Sequence, residues 1–304
     1  MRKACPVRSI VCVTHQETKH AAEKNIVHHA ADYAWAASNQ DQASLPLPGS
    51  TWVRISLSSC STFCVHAAVT SRWTPASNLN QTSWSILNRR TQACRFRQSP
   101  QVFRLETERG EEAAVCVLSR SAPQQDFLNI DLFKIGLSAE HRIYLATQYR
   151  LTPSEIEIAG QLFGGASASD ISRHRGCTIA TIRSQLHSIF EKTYTKGQTS
   201  LFRLLMDTPP ARSSFRNDYA KNAPYHPEDV FGLSTAEANI ATELSKGNSP
   251  VGIAATRLSS LHTVRSQIKR INEKTNCRNI NDLVRIVLIA PWLCNVCNYS
   301  NLCF

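Results

Sequence analysis

The chain contains, at residues 233–288, the stretch LSTAEANIATELSKGNSPVGIAATRLSSLHTVRSQIKRINEKTNCRNINDLVRIVL, and residues 151–206 contain another version of the same sequence. The two stretches align without a gap at an offset of 82 positions and are identical at 19 of 56 positions. Identities spread along the whole length of both stretches indicate one structural unit that was duplicated. Residues 151–206 are called copy one below, and residues 233–288 are called copy two.

The beginning of copy two predicts a helix over residues 235–246. Ser234 or Thr235 can cap this helix, and the Glu237 carboxylate can accept the exposed backbone amides of its first turn. Apolar residues then recur at three- and four-residue intervals, and Gly247 tolerates the left-handed conformation that ends many helices.

A second, shorter helix is expected over residues 250–257, because Pro250 is tolerated in a first helical turn. Three apolar residues are expected to face inward from it: Ile253, Ala254 and Leu258.

The third helix of copy two has a basic, amide-rich outer face, and Ser259-Ser260 is expected to cap it. Its apolar face consists of Leu261, Val264, Ile268 and Ile271, and its outward residues are Thr263, Arg265, Ser266, Gln267, Lys269 and Arg270. Copy one has the same pattern, with Thr178 as the cap and with Thr181, Arg183, Ser184 and Gln185 facing outward. A fourth amphipathic helix follows, with apolar positions in copy two at Ile280, Leu283, Val284, Val287 and Leu288.

A short helix, a tight turn and a capped helix with Arg and Gln on its outer face are typical of a helix-turn-helix, whose second helix enters the DNA major groove. Arg matches guanine O6 and N7, Gln matches adenine N6 and N7, and Ser or Thr can contact phosphate or base. We expect Arg265 and Lys269 to contact phosphates, and Gln267 and Arg270 to contact base edges. Thr263 lies on the same side of the helix as these two base readers.

Each copy resembles the LuxR-type (GerE-like) four-helix DNA-binding domain. In copy one the matching residues are Leu151, Thr152, Glu155, Gly165, Ile171, Thr178, Thr181, Ile182, Arg183 and Lys192. In copy two they are Leu233, Ser234, Glu237, Gly247, Ile253, Ala254, Ser260, Thr263, Val264, Arg265 and Lys274. The resemblance covers about 112 of 304 residues. Two features depart from the family pattern: Gln185 and Gln267 stand where the family often has His, and Ile171-Ser172 replaces an Ile-Ala pair.

The resemblance implies a transcriptional regulator that binds double-stranded DNA and contacts RNA polymerase. We expect copy two to be the stronger DNA binder, because its net charge is +4 (eight Lys/Arg, four Asp/Glu) and that of copy one is +2 (six, four). Lys269-Arg270 of copy two also replaces His187-Ser188 of copy one. The alternative is a protein-interaction module, in which the duplicated bundles bind a regulatory partner.

The segment between the copies, residues 207–232, is polar, contains Pro209, Pro210, Pro224 and Pro227, and is expected to be a linker. Its 26 residues reach about 85 Å when extended, which exceeds the roughly 34 Å between half-sites one DNA turn apart. Both copies can therefore occupy one DNA site as an intrachain pseudo-dimer, and a homodimer is also open.

Composition agrees with a polyanionic partner, since the 304-residue chain has a formal net charge of +11. No run of 18 apolar residues occurs, so we expect no membrane span and a cytoplasmic protein. The eleven cysteines show no disulfide framework, and Cys294, Cys297 and Cys303 lack a fourth local ligand for zinc. We expect no metal, no other cofactor and no enzymatic activity, because no phosphate loop, nucleophile elbow or HExxH motif is present.

The N-terminal region, residues 1–120, receives no domain assignment, and α+β structure and poor order both stay open. Residues 20–37 have the composition of a helix, and residues 51–69 have that of strands. Residues 121–150 are expected to be a connecting segment before copy one. A strand at residues 115–118 and a connecting helix at residues 127–132 are expected to begin a small α/β remnant attached to copy one. Residues 289–304 are expected to be a Cys-containing tail. We therefore expect a mainly all-α C-terminal half with two tandem helix-turn-helix domains. In the family that these domains resemble, the N-terminal part is usually a sensor: a signal-molecule domain, a PAS-like domain or a phosphorylation receiver.

Overall fold

The computed structural model describes residues 50–56, 69–70, 74–94, 99–120, 127–208 and 225–302, and the predicted helix at residues 20–37 lies outside them. The described part is mainly helical, with a small antiparallel sheet in its N-terminal part. The chain divides into two units, one containing the sheet and the other containing residues 134–295. No helix in the described ranges has both the length and the apolar content needed to cross a membrane.

An antiparallel sheet covered by one helix forms the core of the first unit. The spatial order of the strands is β1-β4-β3-β2, where β1 is Ser50–Ser56, β2 is Gln101–Glu106, β3 is Glu112–Arg120 and β4 is Phe127–Phe133. Helix α1, Gln81–Cys94, begins where the Asn80 side chain accepts the Ser83 amide at 2.8 Å. Its buried Ile86 and Leu87 belong to one core cluster with Phe103, Cys116, Leu118 and Ile130. A phosphorylation receiver has a parallel sheet, so these strands do not form one.

The structure tests two of the elements expected in this region. The strand expected at residues 115–118 is confirmed as part of β3, whereas the connecting helix expected at residues 127–132 is wrong. Those residues form β4, in which Ile130 pairs with Val53 of β1 and Leu118 of β3. Leu128, Ile130 and Leu132 alternate along β4 and are buried in the core cluster, which a strand allows and a helix does not. The segment 121–150 thus contributes a strand to the sheet.

The second unit is helical throughout its regular structure. Helix α2, Ala139–Gln148, precedes copy one. Copy one contains α3 (Pro153–Phe163), α4 (Ala168–Arg175), α5 (Ile179–Lys192) and α6 (Gln198–Asp207). A short helix α7 (Pro227–Phe231) leads into copy two, which contains α8 (Thr235–Ser245), α9 (Pro250–Thr256), α10 (Leu261–Thr275) and α11 (Ile280–Leu302).

The helix boundaries expected for copy two agree with α8 and α9 to within one residue. Ser234 caps α8 together with Glu237 in a capping box, and Ser260 caps α10 as expected. The last helix, α11, continues to Leu302 and so extends past the expected end of the domain at residue 288. The expected linker is partly helical, because α7 lies inside it with Val230 and Phe231 buried.

One inward-facing residue was predicted wrongly. Leu258 is 97% exposed, although Ile253 and Ala254 are buried as expected. Helix α9 ends at Thr256, and Leu258 follows it with φ +50°, so the helical period no longer decides where this side chain points. The same position in copy one is Gly176, with φ +63°.

Replacing Leu258 with Gly is expected to stabilise the protein. A left-handed conformation costs an L-residue roughly 1–2 kcal/mol, and the exposed leucine side chain offsets little of this by packing. After subtracting the backbone entropy cost of glycine, we expect urea unfolding to show a free energy of unfolding about 0.5–1 kcal/mol higher for Leu258→Gly than for the wild type. Gly176→Leu is the matched control and should destabilise by a similar amount. Equal or lower stability for Leu258→Gly would contradict this account of the turn.

Candidate nucleic-acid interface

The third helix of each copy begins at a tightly hydrogen-bonded turn. In copy two the Ser259 amide donates to the Ala254 carbonyl at 3.0 Å, which closes the turn after α9. Ser260 Oγ then accepts the Thr263 amide at 3.0 Å and lies 2.8 Å from Thr263 Oγ1. In copy one Thr178 makes the same two contacts with Thr181 at 3.1 and 2.9 Å. The cap therefore fixes both the start of the helix and the first of its expected contact residues.

The residues expected to contact DNA lie on the outward side of these helices, as the period of the sequence predicted. On α10, Val264, Ile268 and Ile271 are buried, whereas the exposed residues are Thr263, Arg265, Lys269 and Arg270. Ser266 and Gln267 are half-buried at the edge of this face. On α5, Thr181, Arg183 and Ser184 are exposed and Gln185 is half-buried. The cations of α10 are thus presented by a helix whose opposite side is anchored in the core.

A carboxylate on the first helix holds the last turn of the third helix in both copies. In copy two, Glu237 Oε2 accepts from Lys274 Nζ at 2.6 Å and from the Ser234 amide at 2.8 Å. In copy one, Glu155 accepts from Lys192 Nζ at 2.8 and 2.9 Å. One glutamate therefore both caps the first helix and bonds to the end of the third.

The two carboxylates are nearly inaccessible to solvent, with side-chain exposures of 8% for Glu155 and 7% for Glu237. Burial by itself would raise the pKa of Glu155, but hydrogen bonds from Lys192, Thr152 and Ser188 outweigh burial and lower this pKa from 4.5 to about 2. Burial would likewise raise the pKa of Glu237, and the Lys274 and Ser234 hydrogen bonds lower it below its usual value. Both groups are therefore charged at neutral pH.

Sequence reasoning missed this contact between helices. From the sequence, Glu237 was expected only to cap the first helix of its copy, and Glu155, Lys192 and Lys274 were recognised only as positions of the family pattern. The available signal was that Glu and Lys are identical in both copies at a constant separation of 37 residues. Such a separation crosses three helices and two turns, so no local rule links the two residues.

The copies differ at the position after His187 and Lys269. Ser188 of copy one donates to Glu155 Oε1 at 2.7 Å, and its side chain therefore adds a hydrogen bond between the first and third helices. Arg270 replaces it in copy two and is exposed. The substitution thus adds a cation to the outer face of α10 and leaves the Glu237–Lys274 bond in place.

A second difference concerns the glutamine on each third helix. Gln185 Nε2 donates to Ser154 Oγ at 3.4 Å, and Arg175 Nη2 donates to the same oxygen at 2.8 Å. Copy two has Ala236 in the place of Ser154, so that hydroxyl has no counterpart next to Gln267. Gln185 is therefore tethered to the first helix of its copy by a contact that Gln267 lacks.

In the described ranges, no three His, Cys, Asp or Glu side chains lie close enough together to hold a metal ion. Cys294 is buried, and burial raises the pKa of its thiol to about 12. Cys177 is half-buried and Cys277 is buried, and a free cysteine in such a place packs as a small apolar residue.

No protein-family model and no curated protein matches this chain.

The bond between helices predicts a specific pH dependence of stability. The side-chain carbonyl of Glu155→Gln can keep the capping box, but this variant loses the charge opposite Lys192. We therefore expect its free energy of unfolding at pH 7 to be lower by about 1–2 kcal/mol. The folded pKa of Glu155 is depressed, so its contribution is complete above about 4.5 and disappears as the pH falls towards about 2. Urea unfolding at a series of pH values should therefore show the two proteins converging across that range.

Glu157→Gln serves as the control for this measurement, because Glu157 is exposed on the same helix. It should change stability by less than about 0.5 kcal/mol. A difference between wild type and Glu155→Gln that stays constant down to pH 2 would show that the Lys192 bond does not stabilise the fold.

Proposed function

We propose that this chain is a DNA-binding transcriptional regulator that reads the duplex major groove through two tandem LuxR-type helix-turn-helix domains. The outer face of α10 is the main support for the proposal, since Arg265, Lys269 and Arg270 are exposed together on a helix that follows a short helix and a tight turn. A helix presented in this way fits the major groove, which is wide enough to admit it. The same arrangement occurs in copy one with fewer cations.

The side chains of α10 divide by chemistry into two kinds of contact. Arg265 and Lys269 are assigned to phosphates, because they are exposed cationic side chains that lie about one turn apart on the helix. Gln267 and Arg270 are assigned to base edges, where their paired donors and acceptors match adenine and guanine. Thr263 and Ser266 supply short hydroxyl contacts beside them. In copy one Thr181, Arg183, Ser184 and Gln185 form the corresponding, weaker set.

One observation favours a second function, the binding of a protein partner. Val251 is 61% exposed and Leu258 is 97% exposed, and both belong to the helix-turn part of copy two. The corresponding residues of copy one are Ser169 and Gly176, so this apolar surface belongs to copy two. Binding through such a surface would depend little on salt, whereas DNA binding that neutralises several phosphates weakens steeply as salt rises.

Selection of bound duplexes from a random DNA pool tests the proposal. The full chain should enrich a defined motif, and Arg265→Ala/Gln267→Ala should abolish the enrichment because it removes a phosphate contact and a base reader. Removal of the base reader alone, in Gln267→Ala, should weaken the binding free energy for the preferred site by about 1–3 kcal/mol. Lys134→Ala is the matched control, since it removes one exposed positive charge outside both copies and should leave the motif unchanged. Absence of enrichment by the wild type would favour the partner-binding function.

The charge difference between the copies predicts their order of importance. Arg265→Ala should weaken binding to the selected duplex more than Arg183→Ala, because α10 has two further cations, at Lys269 and Arg270, where α5 has His187 and Ser188. Equilibrium titrations with the two single variants make the comparison directly. A larger loss for Arg183→Ala would reverse the order and make copy one the principal reader.

A further inference from the structure

Copy one and copy two touch each other through equivalent residues. Thr199 Oγ1, on α6, lies 3.3 Å from Asn281 Oδ1, on α11. These two residues are 82 positions apart, so they occupy the same position in the repeat. A position that contacts its own equivalent lies close to a twofold axis, because in a twofold pair the same surface patch meets itself.

Two arginines make reciprocal contacts on either side of this point. Arg203 of copy one donates to the Lys246 carbonyl at the end of α8. Arg285, its equivalent in copy two, donates to the Phe163 carbonyl at the end of α3 at 3.3 Å. Each guanidinium thus meets the last turn of the other copy's first helix, where the helix dipole favours a positive charge. The contacts agree with twofold pairing to within one residue, since Phe163 corresponds to Ser245.

The pairing is not fully symmetric, and its asymmetry favours unlike copies. Arg278 of copy two donates to the Gly165 carbonyl at 2.5 Å and pairs with Asp170 at 3.4 Å, both in copy one. The residue equivalent to Asp170 in copy two is Gly252, so a pair of second copies would lack this ion pair. The residue of copy one that is equivalent to Arg278 is Lys196. A lysine lacks the planar guanidinium group with which Arg278 contacts the Gly165 carbonyl and the Asp170 carboxylate at the same time.

We infer that the two copies form an intrachain pseudo-twofold dimer and that one chain binds one DNA site with two half-sites in inverted orientation. The inference rests on the proposed function for its DNA component, whereas the pairing rests only on the contacts between the copies. A twofold relation between the third helices is mirrored in the symmetry of the DNA site. The half-sites should differ in sequence, because Arg270, the proposed base reader of α10, is replaced in α5 by Ser188, whose side chain donates to Glu155.

Cross-linking tests the pairing without DNA. In Thr199→Cys/Asn281→Cys, a short bismaleimide should join the two introduced thiols within one chain at high dilution. Peptide mapping identifies the product among the eleven native cysteines. Each single variant serves as the control, and neither should give this product. A product found only between chains, or no product in the double variant, would overturn the intrachain pairing.

Duplex selection and stoichiometry test the DNA component. The motif selected by the full chain should contain two half-sites in inverted orientation at one fixed separation, and native mass spectrometry should show one 33.9 kDa chain per duplex. Arg203→Ala/Arg278→Ala should keep the half-site sequences, lose the fixed separation and lower affinity for the full site about tenfold or more. Arg109→Ala/Lys134→Ala removes the same charge outside both copies and should change neither property.

The possible outcomes separate this inference from the proposed function. A motif with a single half-site, direct repeats or two chains per duplex would overturn the inference and leave the proposed function standing. An intrachain cross-link with no enriched sequence would overturn the proposed function and the DNA component together, while confirming the pairing of the copies. An inverted motif bound by one cross-linked chain would support both.

Discussion

A buried carboxylate on the first helix of each copy fixes where the third helix lies, and the proposed DNA-reading surface depends on this bond. Glu155 and Glu237 each cap their own helix and accept a hydrogen bond from a lysine at the end of the third helix. A carboxylate so little exposed is stable only with such partners, because desolvation of the charge must be offset by hydrogen bonds. With its start held by Ser260 or Thr178, the third helix is restrained at both ends, and its outer face is left for contacts with other molecules.

Duplication gave the chain two such helices, and substitutions have since separated their properties. At the position of Ser188 and Arg270, one copy uses the side chain to support the carboxylate and the other presents a cation. At the position of Asp170 and Gly252, only one copy supplies an acid to its neighbour. Both changes leave the glutamate–lysine bond between the first and third helices in place and alter the charged groups on the surface of each copy. This is the pattern expected when two duplicated domains keep one fold and acquire different contacts.

The helices of both copies could be predicted from the sequence because capping residues and apolar spacing act within one or two turns. Leu258 was predicted wrongly because it lies just beyond the last turn of α9, where a positive φ redirects the chain. Strand β4 was mistaken for a helix although Leu128, Ile130 and Leu132 alternate along it; its pairing with β1, which depends on residues more than 70 positions away, cannot be read from the sequence. The Glu155–Lys192 bond and the contact between Thr199 and Asn281 were invisible for the same reason: both join residues that only tertiary packing brings together.

If the cations of α10 neutralise DNA phosphates, as we propose, the affinity of the chain for DNA must weaken steeply as the salt concentration rises. For the full chain on its selected duplex, log Kobs should fall linearly with log salt, with a slope of about −0.9 for each phosphate contacted. Arg265→Ala should make the slope shallower by about one contact, and Lys134→Ala should leave it unchanged. A slope near zero for the wild type, or equal slopes for wild type and Arg265→Ala, would show that these cations do not neutralise phosphates.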